Sequence, residues 1–403
     1  MTGTTIAQAV PIAVSPILTR LYAPGDYGIL ALYVSLATIF GAVSNGRYDT
    51  AVMLAETDED AINVASLGII IAVFVSLVLL AVVVFLGAEI SEALGHAEIR
   101  NFLYFIPVSV FFTGLFNILN YINTRKKTFK NTANANIFKS LLVAVVQISM
   151  GLFSFGALGL ITGQLTANIG ANIKLLFRLP LKLNLRETVS WLRIKQLAYR
   201  YRDFPKFTIW ATLANSLSSN VVNILISTFF SVSTLGLYSI SQRILGMPTV
   251  LVGTAVGQVF CREAVEEKKA TGKAVKTFNS TFVKLCIISI PAFLVLWFVV
   301  EDAFALVFGE NWRIAGVYAR HLIPLFAIRF VASSMILILP TFEKQLASLV
   351  WQLALLAISV LLIYSSSLLS WDFEFFLHVY SLVLSFHYVV LLCLIWLVTR
   401  SYI

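Results

Sequence analysis

The sequence predicts an all-α polytopic membrane protein, with about twelve transmembrane helices in two six-helix lobes and both termini in the cytoplasm. Three observations carry that prediction: the apolar excess, the length of the apolar stretches, and the sidedness of the cations between them. Hydrophobic residues make up 59% of the 403 and charged residues only 12%, with a mean hydropathy of +0.88. A water-soluble chain carries about 25% charged residues, so soluble globular, disordered, fibrous and disulfide-stapled classes are excluded. Cys261, Cys286 and Cys393 show no metal-binding or disulfide spacing and are read as fillers of helix surfaces.

A hydrocarbon core about 30 Å thick needs about 20 apolar residues at about 1.5 Å each. Stretches of that kind, bounded by charges, Gly and Pro, cover residues 4–19, 28–44, 61–87, 102–123, 133–153 and 158–177, and then 207–229, 235–258, 281–300, 316–341, 346–369 and 375–398. The first has no Lys or Arg ahead of it, so it is read as a retained span and not as a cleavable signal. With twelve spans the loops alternate sides. One set of loops holds twenty Lys and Arg; the other holds only Arg20, Arg100 and Arg313. Cations stay on the cytoplasmic side, which places both termini there and makes much of the net charge of +9 an orientation signal. Nucleic acid is therefore not an expected partner.

The loops outside the membrane are short, the largest running from Ala88 to Asn101 and from Glu301 to Ala315. A membrane enzyme acting on polyprenyl-phosphate sugars would need a cluster of acid and base residues at a membrane face. The run Glu56, Asp58, Glu59 and Asp60 could imitate one, but reads more simply as a solvated loop. No enzymatic activity and no cofactor or metal are expected; function is expected between the helices.

The basic segment 178–206 divides the spans six and six, giving an N-terminal lobe over 1–177 and a C-terminal lobe over 207–403. Sliding one half along the other by 208 positions superposes Gly28-Ile29-Leu30-Ala31-Leu32-Tyr33 on Gly236-Leu237-Tyr238-Ser239-Ile240-Ser241. An even number of spans per half makes this a parallel repeat, which predicts two bundles around a central cavity.

Six cations fall inside expected spans: Lys139, Lys174, Arg243, Lys284, Arg320 and Arg329. All 20 Asp and Glu fall in loops or at span ends. Lys174, Lys284 and Arg320 lie near span ends, where a long side chain can reach the interface. Lys139 also lies toward the cytoplasmic end, where it too can reach the interface, and it is kept as a further candidate cation. Arg243 and Arg329 lie deeper, where an unpaired charge costs about 2.5–3.5 kcal/mol and normally faces water or a partner. Guanidinium groups suit phosphate or pyrophosphate; hydrogen bonding that locks the bundle is the competing account. Gln164, Asn168 and Asn172 recur every four residues, as do Asn215, Ser219 and Asn223 beside Ser216 and Asn220, with a shorter set at Asn117, Asn120 and Tyr121. Each stripe occupies one helix face and suits either interhelical glue or a hydrated path for a sugar. The candidate substrate-binding residues are Arg243, Arg329, Lys139, Asn168, Asn215 and Asn223.

The run Ser15-Pro16-Ile17-Leu18-Thr19-Arg20-Leu21-Tyr22, followed by Asp26-Tyr27-Gly28 and Arg47-Tyr48-Asp49, resembles the opening of bacterial polysaccharide-transporter flippases. These are the Wzx-type O-antigen translocases of the multidrug/oligosaccharidyl-lipid/polysaccharide (MOP) exporter superfamily. The likeness continues through Phe204-Pro205, Asn215, Gly236-Leu237-Tyr238, Arg243, Pro248 and Gln258-Val259-Phe260. It departs at the start, where the family usually carries a basic stretch before the first span. The resemblance implies a two-lobed, MATE-like transporter of the bacterial inner membrane. Such a protein moves an undecaprenyl-pyrophosphate-linked oligosaccharide, of the kind used for O-antigen and lipopolysaccharide, to the periplasmic leaflet by alternating access. Membrane lipids, a polysaccharide polymerase and a chain-length regulator are its expected partners. The alternative is a cation-coupled multidrug exporter of the same superfamily, which commonly uses intramembrane carboxylates.

Overall fold

The computed structural model describes residues 2–179 and 188–400, and no strand occurs among them. A helix lies over each of the twelve expected stretches. In order these are α1 (Thr2–Leu21), α2 (Pro24–Gly41), α3 (Asp58–Ala93), α4 (Phe105–Arg125), α5 (Phe129–Leu152) and α6 (Ala157–Phe177). A short amphipathic helix, α7 (Trp191–Arg200), precedes α8 (Ile209–Phe229), α9 (Val232–Pro248), α10 (Thr254–Thr271) and α11 (Val275–Phe308). The chain ends with α12 (Arg313–Met335), α13 (Gln345–Leu368) and α14 (Phe373–Arg400). Nine helices among the described residues are long and apolar enough to cross a membrane, α9 and α10 counting as one. Those that fall short are α1, α2 and α6; α6 carries Thr162, Gln164, Thr166, Asn168 and Asn172, which lower its hydropathy.

Helix starts follow their chemistry. Pro24 opens α2, where its missing N–H costs nothing. The Thr57 side chain accepts from the Asp60 N–H at 3.1 Å and caps α3, whose first turn carries Asp58, Glu59 and Asp60 against the positive end of the helix dipole. Gly272, at φ +76°, ends α10 in the left-handed conformation that glycine adopts without strain.

Three expectations are corrected. The loops expected at 88–101 and 301–315 are shortened because α3 continues to Ala93 and α11 to Phe308. The span expected to end at 258 continues through a π-helical turn at Thr249–Gly253 into α10, giving 40 residues from Val232 to Thr271. Finally, Glu301 lies inside α11, and its Oε1 accepts from Arg320 Nη1 at 2.9 Å, so this cation has the carboxylate partner that the span assignment denied it.

By packing, the chain forms two compact units, one up to Leu235 and one from Gly236 onward. The first takes in α8 because Ser216 Oγ donates to the Thr38 carbonyl at 3.4 Å and Asn223 Nδ2 to Ser35 Oγ at 3.0 Å, joining α8 to α2. A Cβ at Gly28 would stand 1.8 Å from the Val232 carbonyl oxygen, so this close approach admits only glycine. In the second unit, Ser241 Oγ donates to the Ala315 carbonyl at 2.7 Å and Ser289 Oγ to the Ala327 carbonyl at 3.0 Å, linking α9 and α11 to α12. Helix starts also keep a common frame: Thr2 and Ile209, Pro24 and Val232, and Phe105 and Arg313 stand 207 or 208 positions apart.

Within the expected linker, residues 180–187 lie outside the described residues. Its α7 packs Ile194 and Leu197 inward. Asn63 holds the approach to α7, donating to the Thr188 carbonyl and accepting from the Ser190 N–H. Three acids of the run expected as a solvated loop are paired with cations of α4 and α7, while Glu56 and Glu59 remain exposed to solvent. Arg193 forms a fork on Asp60 at 2.7 and 2.9 Å, Arg200 reaches Glu56 at 2.6 Å, and Lys126 and Arg125 meet Asp58. Asp60 is 4% exposed, so these acids serve as a clamp for α4 and α7, with no arrangement for acid–base chemistry. Outside the spans, the hydrogen bond and charge of Arg200 hold the Glu56 carboxyl below its ordinary range.

Candidate functional site

The first unit holds a partly open cavity of about 290 Å³ lined by α2, α4, α5 and α6. Helical spacing brings its walls together. Ser109, Thr113 and Asn117 recur every four residues on α4, Gln164 and Asn168 do so on α6, and Tyr33, Ala37 and Gly41 do so on α2 beside Thr38. Lys139 enters from α5 and, among the described residues, is the single cation of the lining, which contains no Asp or Glu. Small residues at Ala37 and Gly41 leave the space that larger side chains would fill.

The polar groups divide into committed and uncommitted. Tyr33 Oη and Ser109 Oγ are hydrogen bonded to each other. By contrast, the Lys139 ammonium meets only the Phe116 ring, 5.6 Å from its centroid, and forms no ion pair or hydrogen bond among the described residues. The side-chain amides of Asn117, Gln164 and Asn168 likewise have no hydrogen bond among the described residues, and all three are half-buried. A half-buried ammonium beside three amides with open donors and acceptors can accommodate an anion together with hydroxyl groups.

Of the six sequence candidates, Lys139 and Asn168 meet in this cavity. Asn223 and Asn215 lie on α8; the Asn223 amide is used on Ser35, and Asn215 is exposed with its carbonyl accepting from Ser219. Arg243 and Arg329 belong to the second unit. Arg243 is exposed on α9. Arg329 is half-buried, its guanidinium 5.4 Å from the centroid of the Phe326 ring, close enough to the buried Tyr238 and Tyr380 to interact with them, and it forms no ion pair among the described residues. The α6 stripe itself splits. Gln164 and Asn168 line the cavity, whereas Asn172 is buried and donates to the Phe112 carbonyl at 2.8 Å, acting as glue between α6 and α4. Lys174 is engaged by the Asn134 carbonyl at 3.1 Å and the Phe138 ring.

Tyr33, Thr38, Ser109 and Thr113 are lining residues that the sequence reading passed over. Their signal was a four-residue spacing of Ser109 and Thr113 on α4 and two hydroxyls five apart on α2, weak because hydroxyls are tolerated throughout membrane helices.

The profile of a family described as polysaccharide biosynthesis protein matches residues 17–315. A curated relative, the succinoglycan biosynthesis transport protein ExoT of Rhizobium meliloti (strain 1021), is 23% identical over 309 residues. That alignment covers 74% of this chain and 59% of the relative, so the chain spans about three-fifths of its length. Among solved structures, lipid II flippase MurJ in an inward closed conformation superposes with a TM-score of 0.72 at 13% identity, covering 98% of this chain and 86% of that one. A multidrug resistance MATE family transporter of the MOP superfamily, in an inward-facing conformation, gives 0.70 at 13% identity over 97% and 93%. These likenesses show that the chain shares its fold with those two transporters.

Proposed function

The chain belongs to the polysaccharide biosynthesis protein family, and from that premise we propose that it is a flippase for a lipid-linked oligosaccharide. Its substrate is an undecaprenyl-pyrophosphate-linked repeat unit of a surface polysaccharide, moved from the cytoplasmic to the periplasmic leaflet of the bacterial inner membrane by alternating access. The glycan belongs to an O-antigen or to an exopolysaccharide; the relative named for succinoglycan transport favours the second. Both termini lie in the cytoplasm, and a polymerase and a chain-length regulator act on the exported unit.

The observation that carries this reading is the acid-free cavity with Lys139 at its wall. At about 30 Å³ per water, 290 Å³ holds about ten waters, room for a diphosphate and part of the first sugar. The ammonium attracts the diphosphate, and Asn117, Gln164 and Asn168 take up hydroxyls with bonds weak enough to release. Arg243 and Arg329 are proposed as anion-binding residues of the second unit. A cation-coupled drug exporter would be expected to place a carboxylate in such a cavity, and this lining has none.

The test is uptake of a fluorescent polyprenyl-pyrophosphate-linked sugar across proteoliposomes containing the purified protein. Losing one charge-assisted contact, worth about 1.5–3 kcal/mol, lowers transport about ten- to hundredfold in Lys139→Gln. Asn168→Ala lowers it less, and Arg243→Ala and Arg329→Ala each reduce it. Normal transport in Lys139→Gln at normal abundance would remove the site, and no transport by the parent protein would remove the function.

A further inference from the structure

The second unit carries two adjoining recesses on α11. The first, about 870 Å³, is lined by Lys273, Lys276 and Lys284 with Asn279 and Ser280. Glu267 also borders it, but both of its carboxylate oxygens are spent on backbone: Oε1 accepts from the Lys276 N–H at 3.1 Å and Oε2 from the Thr277 N–H at 2.7 Å. Lys276 and Lys284 are exposed, and three lysines against this one carboxylate leave the recess net basic. The second recess, about 610 Å³, runs between α11 and α14 over a floor formed by α12. Phe282, Cys286, Ile290, Val331, Leu392 and Trp396 line it, and the hydroxyl of Ser289, which also borders it, donates to the Ala327 carbonyl.

Asn279 lines both recesses, so the basic one opens directly onto the apolar one. The ends of the two helices meet there: the Ala274 N–H donates to the Thr399 carbonyl at 2.9 Å, and Arg400 lies 5.1 Å from the centroid of the Trp396 ring. From Asn279 to Ile290 the groove follows α11 for eleven residues, about 16 Å at about 1.5 Å per residue. Half of a hydrocarbon core of about 30 Å is about 15 Å. Cations at the mouth and one leaflet's depth of apolar wall match a molecule with an acidic head and a single-leaflet tail.

We propose that this surface is a binding site for an anionic phospholipid, its phosphate held among Lys276, Lys284 and Arg400 and one acyl chain laid in the groove between α11 and α14. The length of the groove favours an acyl chain over the far longer tail of a polyprenyl carrier. It is separate from the cavity of the first unit and does not depend on the transported substrate.

The experiment is native mass spectrometry of the full-length protein in mixed micelles with dioleoyl phosphatidylglycerol or dioleoyl phosphatidylcholine, counting retained lipids. Phosphatidylglycerol is retained over phosphatidylcholine, and Lys276→Gln with Lys284→Gln lowers that retention about tenfold or more, each lysine contributing about a kilocalorie per mole to an acidic headgroup. Both lysines are exposed, so the double variant folds; a thermal melt without added lipid serves as the control. Cys393→Trp fills the groove and lowers retention of both lipids. Equal retention of the two lipids, or an unchanged count in the double variant, would overturn the site and leave the lysines as orientation signals. Displacement of phosphatidylglycerol by an equimolar polyprenyl pyrophosphate would also overturn it, by giving the surface to the transported lipid.

Discussion

At the scale of single residues, position within a helix says less about a charge than its neighbours do. Arg320 and Lys139 were both cations within expected spans, yet Glu301 neutralises the first while an aromatic ring and three open amides surround the second. Asp49 offers another contrast. Its side chain is 3% exposed, Arg47 stands 3.6 Å away, and neither Asp49 Oδ1 nor Arg47 Nε has a hydrogen-bond partner among the described residues. Burial pushes the Asp49 carboxyl up, and the Arg47 charge offsets this only in part. Removing Arg47 leaves the buried carboxylate with backbone N–H groups but no cation, and breaking comparable buried pairs costs about 3–5 kcal/mol. Arg47→Ala is therefore expected to lower the melting temperature in detergent, and Asp49→Asn in the same background to restore most of the loss. A melt unaffected by Arg47→Ala would show that water already compensates the carboxylate.

Among the elements, α7 shows how a segment read as a linker becomes part of a unit. Its hydrophobic face is only two buried residues deep, so the ion pairs of Arg193 and Arg200 help to hold it in place. Because Arg200 lowers the pKa of Glu56 in the folded protein, the unfolded chain binds that proton more readily. The contribution is fully present above the ordinary carboxyl value of 4.5 and fades as pH falls through it toward the lowered folded value. Protection of the amides of residues 191–200, taken relative to the intrinsic exchange rate at each pH, is expected to fall on acidification below about pH 4.5, and Glu56→Gln to show the lower protection already at pH 7. Exchange in Glu56→Gln matching the parent at pH 7 would assign the docking to Ile194 and Leu197 alone. Exposure of both partners keeps the effect modest.

For the whole molecule, orientation follows from loop charge, and fusions test it: green fluorescent protein at the C-terminus is expected to fluoresce, and alkaline phosphatase there to be inactive, with the reverse pattern excluding cytoplasmic termini. Apolar length and cation sidedness are properties of the chain itself, since the bilayer sorts each segment by transfer free energy. They placed the helices and their spacing, whereas the likeness to the flippase family rests on short motifs such as Ser15–Tyr22 and Arg47-Tyr48-Asp49. Asn168 and Asn172 occupy the same face of one helix, and nothing in their sequence surroundings separates the amide left open in a cavity from the one used to bind α4. Glu301 and Arg320 likewise stand 19 positions apart and meet only because α11 runs on past the expected span. A side chain's role in an apolar medium depends on which polar group lies within about 3 Å of it, and packing between distant helices decides that.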